Sequence, residues 1–352
     1  MCSTILTRQD TQRLRGLAIF LILVHNFCHI IPGFIPENEH LWSIEPILQY
    51  GQYVLHGGPH LILNLFSHYG FYGIAVFVFL SGYGLASKYD KVARLSFVAY
   101  LVKHARKLWR LLFVGILIYY IAFRFLGGAA PSWDQIIKQA LFLTTLLPVR
   151  PLIFGPWWWL SLIMQFYVVY YFFYHNRSLR SIGVFTFFCL LLQFGGIFYC
   201  RHNLADEHSL LVYLYYNFPT LALPFSMGVY ASRCGAPWLH SPWLFLASLI
   251  LVVLGSFNVS IWSLGSVFAC IALVQMGQFF GQVKGLGIIL SWLGKVSAWA
   301  FVVHPIVRRY VFRLNATHSV YFTLALYLVI CLLLSFILYT ITSYIDRKLQ
   351  NH

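Results

Sequence analysis

The sequence predicts an all-α protein, a polytopic membrane bundle with about ten transmembrane helices. Of its 352 residues, 60% are hydrophobic and 9% are charged, whereas a soluble domain carries roughly 25% charged residues. Nine carboxylates could not hydrate the surface of a 40.7 kDa globule. Apolar stretches of bilayer length also recur from one end of the chain to the other. The surrounding solvent is therefore expected to be largely lipid.

The apolar stretches divide the chain into predicted spans at 14–33, 70–87, 108–126, 157–175, 181–199, 209–231, 242–257, 258–279, 289–307 and 320–343. The boundary within 242–279 is the least sharp, so a count from eight to eleven stays open. Two longer loops cover 34–69 and 127–156, and the second is predicted to hold a short interfacial helix. Without repeats or a soluble appendage, residues 1–352 are predicted to form a single domain.

The distribution of charge predicts an orientation. With both termini cytoplasmic, most of the 24 Lys and Arg residues fall on the inside, as the positive-inside rule requires. Arg308 and Arg309 are exceptions, which indicates a local role. The net charge of +15 comes with no long basic run or recognition motif, so nucleic acid is not an expected partner. The expected partner is the lipid bilayer.

The candidate proton-transfer groups are found by elimination. By the span placement, all nine carboxylates lie outside the hydrocarbon core, whereas His25 and His29 lie in the first predicted helix and His304 lies late in the ninth. Polar groups within a membrane are costly and therefore mark functional sites. The sequence thus predicts that imidazole performs any acid–base chemistry within the membrane.

The first helix, with Arg13-Leu14-Arg15-Gly16-Leu17-Ala18 followed by His25, resembles the start of the integral-membrane acyltransferases of acyltransferase family 3. Further similar segments follow in the family's order: Phe77–Leu85, Lys103–Arg110, Trp157–Ser161 with Gln165–Tyr167, and Leu293–Ser297 with His304-Pro305. The resemblance extends over most of the chain. It implies a catalytic histidine and an important basic residue in the first helix.

The spacing of these two residues departs from the family. Nine residues separate Arg15 from His25, one fewer than the family's usual spacing. At about 100° per residue, Asn26 lies within about 20° of the face of Arg15, His29 lies about 40° away and His25 lies about 80° away. His25 is the favoured catalytic base because Asn26 cannot take a proton, but Asn26 and His29 stay open as occupants of the catalytic position. Arg15 is expected either to position His25 or to bind donor phosphate.

The basic residues that lead into the third predicted span suit a donor that carries phosphates. Arginine binds phosphate through bidentate, charge-assisted hydrogen bonds, and acyl-CoA is available at the cytoplasmic face. The resemblance implies this role for Arg106, Lys107 and Arg110, with Lys103 in the same cluster, although lipid-headgroup anchoring is an alternative reading. His304 is expected to join the donor site or to make a helix-end contact. No metal site is expected, because Gly57, Gly58 and Pro59 break the His56–His60 spacing.

The resulting hypothesis is a membrane O-acetyltransferase with acetyl-CoA as co-substrate. The acyl group would move to a hydroxyl of a carbohydrate or glycolipid acceptor at the cell surface. The resemblance places such a protein in the bacterial cytoplasmic membrane. A secondary transporter and a catalytically inactive relative that binds a lipid or sugar remain alternatives. Acceptor identity, acyl length and oligomeric state are not encoded in any motif.

Overall fold

The computed structural model describes residues 6–90, 92, 95–147, 152–202, 204, 206, 209–312 and 318–350. All regular structure in these ranges is helical, which confirms the all-α prediction. The α-helices are α1 (Arg8–Cys28), α2 (Glu45–Leu55), α3 (Leu61–Tyr69), α4 (Gly73–Tyr89), α5 (Phe97–Leu126), α6 (Trp133–Ala140), α7 (Trp158–Val169), α8 (Leu179–Tyr199), α9 (Leu210–Tyr215), α10 (Ala222–Cys234), α11 (Pro242–Gly255), α12 (Val259–Ser263), α13 (Gly265–Gln282), α14 (Leu286–Val311) and α15 (Val320–Gln350).

Five helical segments in the described part of the chain are long and apolar enough to cross a bilayer: Leu61–Tyr89, Phe97–Leu126, Leu179–Tyr199, Leu286–Val311 and Val320–Leu349. The protein is an integral membrane helical bundle, but the predicted count of ten spans is not confirmed. Several predicted spans are interrupted. The stretch 209–231 is divided at a short 3₁₀ turn that contains Pro219, because proline has no N–H with which to continue a helix.

The predicted break near residue 255 is present. α11 ends at Gly255, and the Asn258 side chain then accepts hydrogen bonds from the backbone N–H groups of Ser260 and Ile261. This is an N-cap, which starts the short helix α12. The predicted interfacial helix corresponds to α6, which opens with a capping box on Ser132 and holds an ion pair between Lys138 and Asp134.

α1 and α14 form the central helix pair. A side chain at Gly16 would collide with the backbone carbonyl of Leu290, and one at Gly294 would collide with that of Gln12. These two glycines therefore let the helix backbones touch, as small residues do between membrane helices. α14 is largely buried, whereas α5 and α15 bury only a small share of their apolar windows inside the protein and are suited to face lipid.

α4 and α10 form a second close pair through Gly82 and Gly228. A Cβ on Gly82 would collide with the carbonyl oxygen of Phe225, and one on Gly228 with that of Phe79. The neighbouring Ser81 donates its hydroxyl to the carbonyl oxygen of Phe77 at 2.8 Å. The Ser81-Gly82 pair is therefore explained by the close packing of these two helices.

We expect Gly82→Ala to destabilise the protein by about 1–3 kcal/mol, because the added methyl group forces apart two packed backbones. Gly84→Ala is the matched control, since it lies on the same helix and a Cβ there meets nothing within 4 Å. Thermal unfolding in detergent measures both variants. Equal melting temperatures for the two would contradict the close α4–α10 contact.

Candidate active site

His25 lies in the last turn of α1 and is buried. Its Nδ1 lies 3.0 Å from the carbonyl oxygen of Ser67 and 3.2 Å from that of Phe66. Because a carbonyl oxygen only accepts, Nδ1 carries the proton and donates it. In the neutral ring, the free lone pair is then on Nε2. This close approach needs Gly70, where a Cβ would lie 2.6 Å from the Cβ of His25.

The segment after α1 folds back over the end of that helix and is held by three buried polar side chains of α3. Oδ1 of Asn64 accepts from the backbone N–H of Ile35 at 2.8 Å, and the Ser67 hydroxyl donates to the Ile35 carbonyl at 2.7 Å. Nδ1 of His68 donates to the carbonyl of Pro36 at 2.7 Å. These bonds fix the backbone immediately before the next glutamate.

That glutamate, Glu37, accepts a hydrogen bond from Nδ1 of His29, with Oε2 at 2.9 Å. His29 in turn stacks on His25 with ring centroids 5.0 Å apart. The prediction that no carboxylate lies near the first-helix histidines was therefore wrong. Glu37 and Glu39 line one cavity together with both histidines. Hydropathy placed their loop outside the bundle, but tertiary hydrogen bonds return it to the end of α1. Among the nine carboxylates, Glu207 lies outside the described residues.

The pKa values of the two glutamates are shifted in opposite directions. Burial disfavours the ionised form of Glu37, but the hydrogen bond and charge of His29, with the charge of His25, outweigh it and lower the pKa of Glu37 to about 2. Burial, reinforced by the negative charge of Glu37, raises the pKa of Glu39 well above its ordinary value. The site thus favours ionisation of Glu37 and disfavours ionisation of Glu39.

Arg308 reaches the same cluster from α14. Its Nη1 donates to the carbonyl oxygen of Asn26 at 2.6 Å and to the side-chain Oδ1 of Asn26 at 3.1 Å, and it lies 3.5 Å from Nε2 of His29. The carbonyls of a last helical turn have no partner within the helix. The guanidinium therefore caps α1, at the end where the helix dipole favours a cation.

A cavity of about 160 Å³, here called the His25 cavity, opens beside this cluster. His25, Asn26 and His29 all line it, so the end of α1 brings together the three residues between which helical spacing could not decide. Trp158 and Tyr216 add aromatic rings to its wall. His40 stacks on Tyr216 with the centroids 3.8 Å apart and the planes within 5°.

A second cavity of about 210 Å³, here called the Arg15 cavity, is lined by Arg15, Ser81, Tyr167 and Ser297. Arg15 is ten residues before His25, about 15 Å along the helix axis, and it lines a different cavity. Phe301 lines both cavities and lies 6.4 Å, centroid to centroid, from the ring of Trp159. Phe301 therefore forms part of the wall of both cavities.

The basic residues of α5 do not converge on one point. Lys103, Arg106, Lys107 and Arg110 are all exposed, and Arg110 forms an ion pair with Asp346 near the end of α15 at 2.7 Å. Leu108 and Leu111, on the same stretch of α5, line the Arg15 cavity. The inner face of this stretch of α5 therefore borders that cavity, while its cations lie on the exposed face. Two of the four cations already have partners, because the Lys103 ammonium lies 5.8 Å from the centroid of the Tyr89 ring.

His304 is fully buried in α14. Its Nδ1 donates to the carbonyl oxygen of Ala300 at 3.2 Å, and Nε2 has no hydrogen-bond partner among the described residues. It packs against Phe301, with ring centroids 5.5 Å apart. His304 thus supports the residue that both cavities share in their walls, and it is absent from the described lining of either cavity.

His25, His29 and Glu37 have the residue types of a two-histidine, one-carboxylate metal set, with potential ligand atoms within 4.8 Å of one another. That combination binds divalent transition metals in other proteins. Here the guanidinium of Arg308 lies 3.5 Å from Nε2 of His29. A fixed positive charge at that distance opposes a second cation. His56 and His60, the other spacing considered, have separate partners, Gln52 and Tyr321.

Sequence reasoning missed Glu37, Glu39, Asn64 and Ser67. No local pattern marks them, because their roles arise from a loop that folds back onto helices distant in sequence. Arg308 was detectable, since it breaks the positive-inside pattern.

Comparison with known proteins identifies one relationship. A family model described as an acyltransferase domain, that of acyltransferase family 3, matches residues 12–343. No curated protein and no solved structure has significant similarity to the chain. The match covers both cavities and every residue of the cluster around His25.

We expect Glu37→Gln and Glu39→Gln to change stability with opposite dependence on pH. The pKa of Glu37 is depressed, so its contribution is present at neutral pH and is lost as pH falls from the ordinary value of 4.5 towards about 2. The raised pKa of Glu39 makes its ionisation unfavourable in the folded state, so stability falls as pH rises above 4.5. Glu37→Gln should therefore lower the melting temperature at pH 7, and this loss should shrink below pH 4.5.

Glu39→Gln should instead raise or preserve the melting temperature at pH 7 and have no effect near pH 4. Thermal unfolding of the two variants across this range measures the difference. A change in melting temperature of the same sign for both variants at pH 7 would contradict the opposite pKa shifts of the two glutamates.

Proposed function

The chain belongs to acyltransferase family 3, and we propose that it is a membrane acyltransferase that moves an acyl group, acetyl in the simplest case, from acyl-CoA to a hydroxyl of a carbohydrate or glycolipid. His25 is the proposed general base. The proposal rests on one observation: Nδ1 of His25 is held by backbone carbonyls, which leaves Nε2 to accept a proton in the cavity that His25 lines.

The other two candidates of α1 are less suited to this role. Asn26 uses its side chain to accept from Arg308 and to donate to the carbonyl oxygen of Ile22 at 3.0 Å. His29 donates from Nδ1 to Glu37, and its Nε2 faces a guanidinium N–H. The guanidinium lies 3.5 Å from that nitrogen and is held there by Asn26, so a cation stands beside the atom that a base would use.

In the proposed reaction, Nε2 of His25 accepts the proton of an acceptor hydroxyl while the hydroxyl oxygen attacks the thioester carbonyl carbon. The carbon–oxygen bond forms and the carbonyl π electrons move to oxygen. When the carbonyl re-forms, the carbon–sulfur bond breaks and its electrons stay on sulfur. The proton then passes from His25 to the thiolate, which gives CoA and the O-acyl product. A positioned base contributes about 10²–10⁴-fold to such a step.

The Arg15 cavity suits the donor. The exposed cations of α5 belong to the same helix as Leu108 and Leu111, which line it, and Arg15 adds a positive charge within it. Acyl-CoA carries phosphates at one end and the thioester at the end of a long flexible arm, so its two ends need separate sites. We propose that the phosphates bind near Arg106, Lys107 and Arg15, with Lys103 and Arg110 at the periphery. The acyl group then passes Phe301 to reach His25.

The His25 cavity suits a sugar acceptor. Trp158 and Tyr216 offer apolar ring faces, and Glu37 and Glu39 offer carboxyl groups that can accept or donate hydrogen bonds to hydroxyls. On the positive-inside argument, the basic start of α5 is cytoplasmic and the end of α1 is on the opposite side. We therefore propose that donor and acceptor enter from different faces of a bacterial cytoplasmic membrane, with both termini cytoplasmic.

His25→Gln is expected to lower acyl transfer about 10²–10⁴-fold, because glutamine cannot take a proton. The measurement uses proteoliposomes, ¹⁴C-acetyl-CoA and a panel of p-nitrophenyl glycosides as acceptors, with acetate release to water as a second readout. His29→Gln should cause a smaller loss. Transfer that persists in the His25→Gln, His29→Gln double variant would contradict the proposed base.

The matched control is His56→Gln, which removes an exposed histidine whose Nδ1 donates to the carbonyl of Gln52 on the preceding helix. It should keep full activity. Sugar flux through wild-type proteoliposomes without acyl transfer would instead indicate a transporter. Acetyl-CoA binding without turnover on any acceptor would indicate an inactive relative.

The Arg106→Gln, Lys107→Gln double variant is expected to raise KM for acetyl-CoA about tenfold or more, because two charge-assisted contacts to phosphate are lost. KM for S-acetylpantetheine, which lacks those phosphates, should not change. Lys138→Gln, which removes a cation paired with Asp134 on α6, is the control. Equal effects on both donors would contradict phosphate binding by this face.

A further inference from the structure

Arg308 lies where a cation is hard to explain by membrane topology alone. It is on the side of the membrane that the positive-inside pattern leaves poor in basic residues, and its guanidinium lies within the cluster around His25. Placing a charge there requires compensation. The capped end of α1 and the anionic Glu37 supply it without a direct ion pair between Arg308 and Glu37 among the described residues.

The guanidinium is only partly used by these contacts. Within the described ranges, every hydrogen bond of Arg308 is made by Nη1, to Asn26 and towards His29. Nε and Nη2 remain as donors, and Arg308 lines the His25 cavity. Since Asn26 grips Nη1 twice, the plane of the guanidinium is fixed before any ligand arrives. A fixed, charged donor beside an unused base lone pair is the arrangement an oxyanion site needs.

We propose that Arg308 is a catalytic residue that holds the donor's carbonyl oxygen as it becomes an oxyanion. This inference rests on the proposed acyl transfer. While Nε2 of His25 takes the acceptor proton, the carbonyl π electrons move to an oxygen that accepts hydrogen bonds from Nη2 or Nε of Arg308. The same electrons return to re-form the carbonyl when the carbon–sulfur bond breaks, so Arg308 neither gains nor loses a proton.

Its neighbour Arg309 does not share this geometry. Arg309 lies over the rings of Tyr119 and Phe154, with its guanidinium carbon 5.4 and 5.6 Å from their centroids, and donates to the hydroxyl of Tyr119. It is absent from the described lining of the His25 cavity. The two arginines therefore differ in surroundings while sharing charge, size and helix, and Arg309 provides a matched control.

The test compares the binding of CoA with that of S-(3,3,3-trifluoro-2-oxopropyl)-CoA. The activated ketone of this analogue adds water or a hydroxyl to form a tetrahedral species that resembles the reaction intermediate. Transition-state analogues bind about 10²-fold or more tightly than substrates. We expect the wild-type protein to prefer the ketone over CoA, and Arg308→Gln to reduce that preference about 10²–10³-fold with the Kd for CoA unchanged. Arg309→Gln should leave both Kd values unchanged.

Arg308→Lys keeps the charge but loses the planar, two-point grip on Asn26, and it should reduce the preference less than Arg308→Gln. Arg308→Lys also tests the proposal if Arg308→Gln does not fold. An unchanged preference in either folded variant would overturn the proposal, as would an equal loss of affinity for CoA and ketone, which would indicate donor binding. Failure of the wild-type protein to bind CoA would overturn the donor assignment itself, and the oxyanion role with it.

Discussion

The hydrogen bond from Nδ1 of His25 to the Ser67 carbonyl is the constraint on which the rest of the site depends. It selects the tautomer, and so decides which ring nitrogen can take a proton. Many hydrolases use a buried carboxylate to orient an imidazole, whereas here a backbone carbonyl does so. A carbonyl, unlike a carboxylate, adds no charge next to the proposed base. It requires the backbone of α3 to approach α1 closely, and Gly70 makes the approach possible.

The same fold-back also arranges charge around the base. The segment after α1 is bonded to Asn64, Ser67 and His68. These bonds fix the backbone before Glu37, whose carboxylate accepts from His29. Glu37 offsets the positive charge of Arg308 through the intervening imidazole of His29. Because it makes no direct ion pair with Arg308 among the described residues, the guanidinium keeps Nε and Nη2 as donors. A direct ion pair would have used those donors, and the cation would then have contributed to structure alone.

Composition and periodicity predicted the helical class and the membrane setting, because both depend on residue averages over long windows. They also identified the end of α1, since histidines in an apolar helix are costly. They could not predict Glu37 and Glu39, because a loop's hydropathy does not say whether it folds back into the bundle. The count of ten spans was not confirmed because a break such as Pro219 shortens a helix without changing local hydropathy. Which of His25, Asn26 and His29 meets a substrate depends on partners far away in sequence.

The distance between Arg15 and His25 bears on whether the protein transfers a group or transports a solute. One helix supplies Arg15 to one cavity and the proposed base His25 to the other, about 15 Å apart along its axis, and Phe301 lines both cavities. A donor with its phosphates at one end and its thioester at the other can span that distance, whereas a small ion or sugar cannot contact both sites at once. The spacing therefore favours group transfer across the bundle over transport of an intact solute, because only a long donor makes use of both ends of α1.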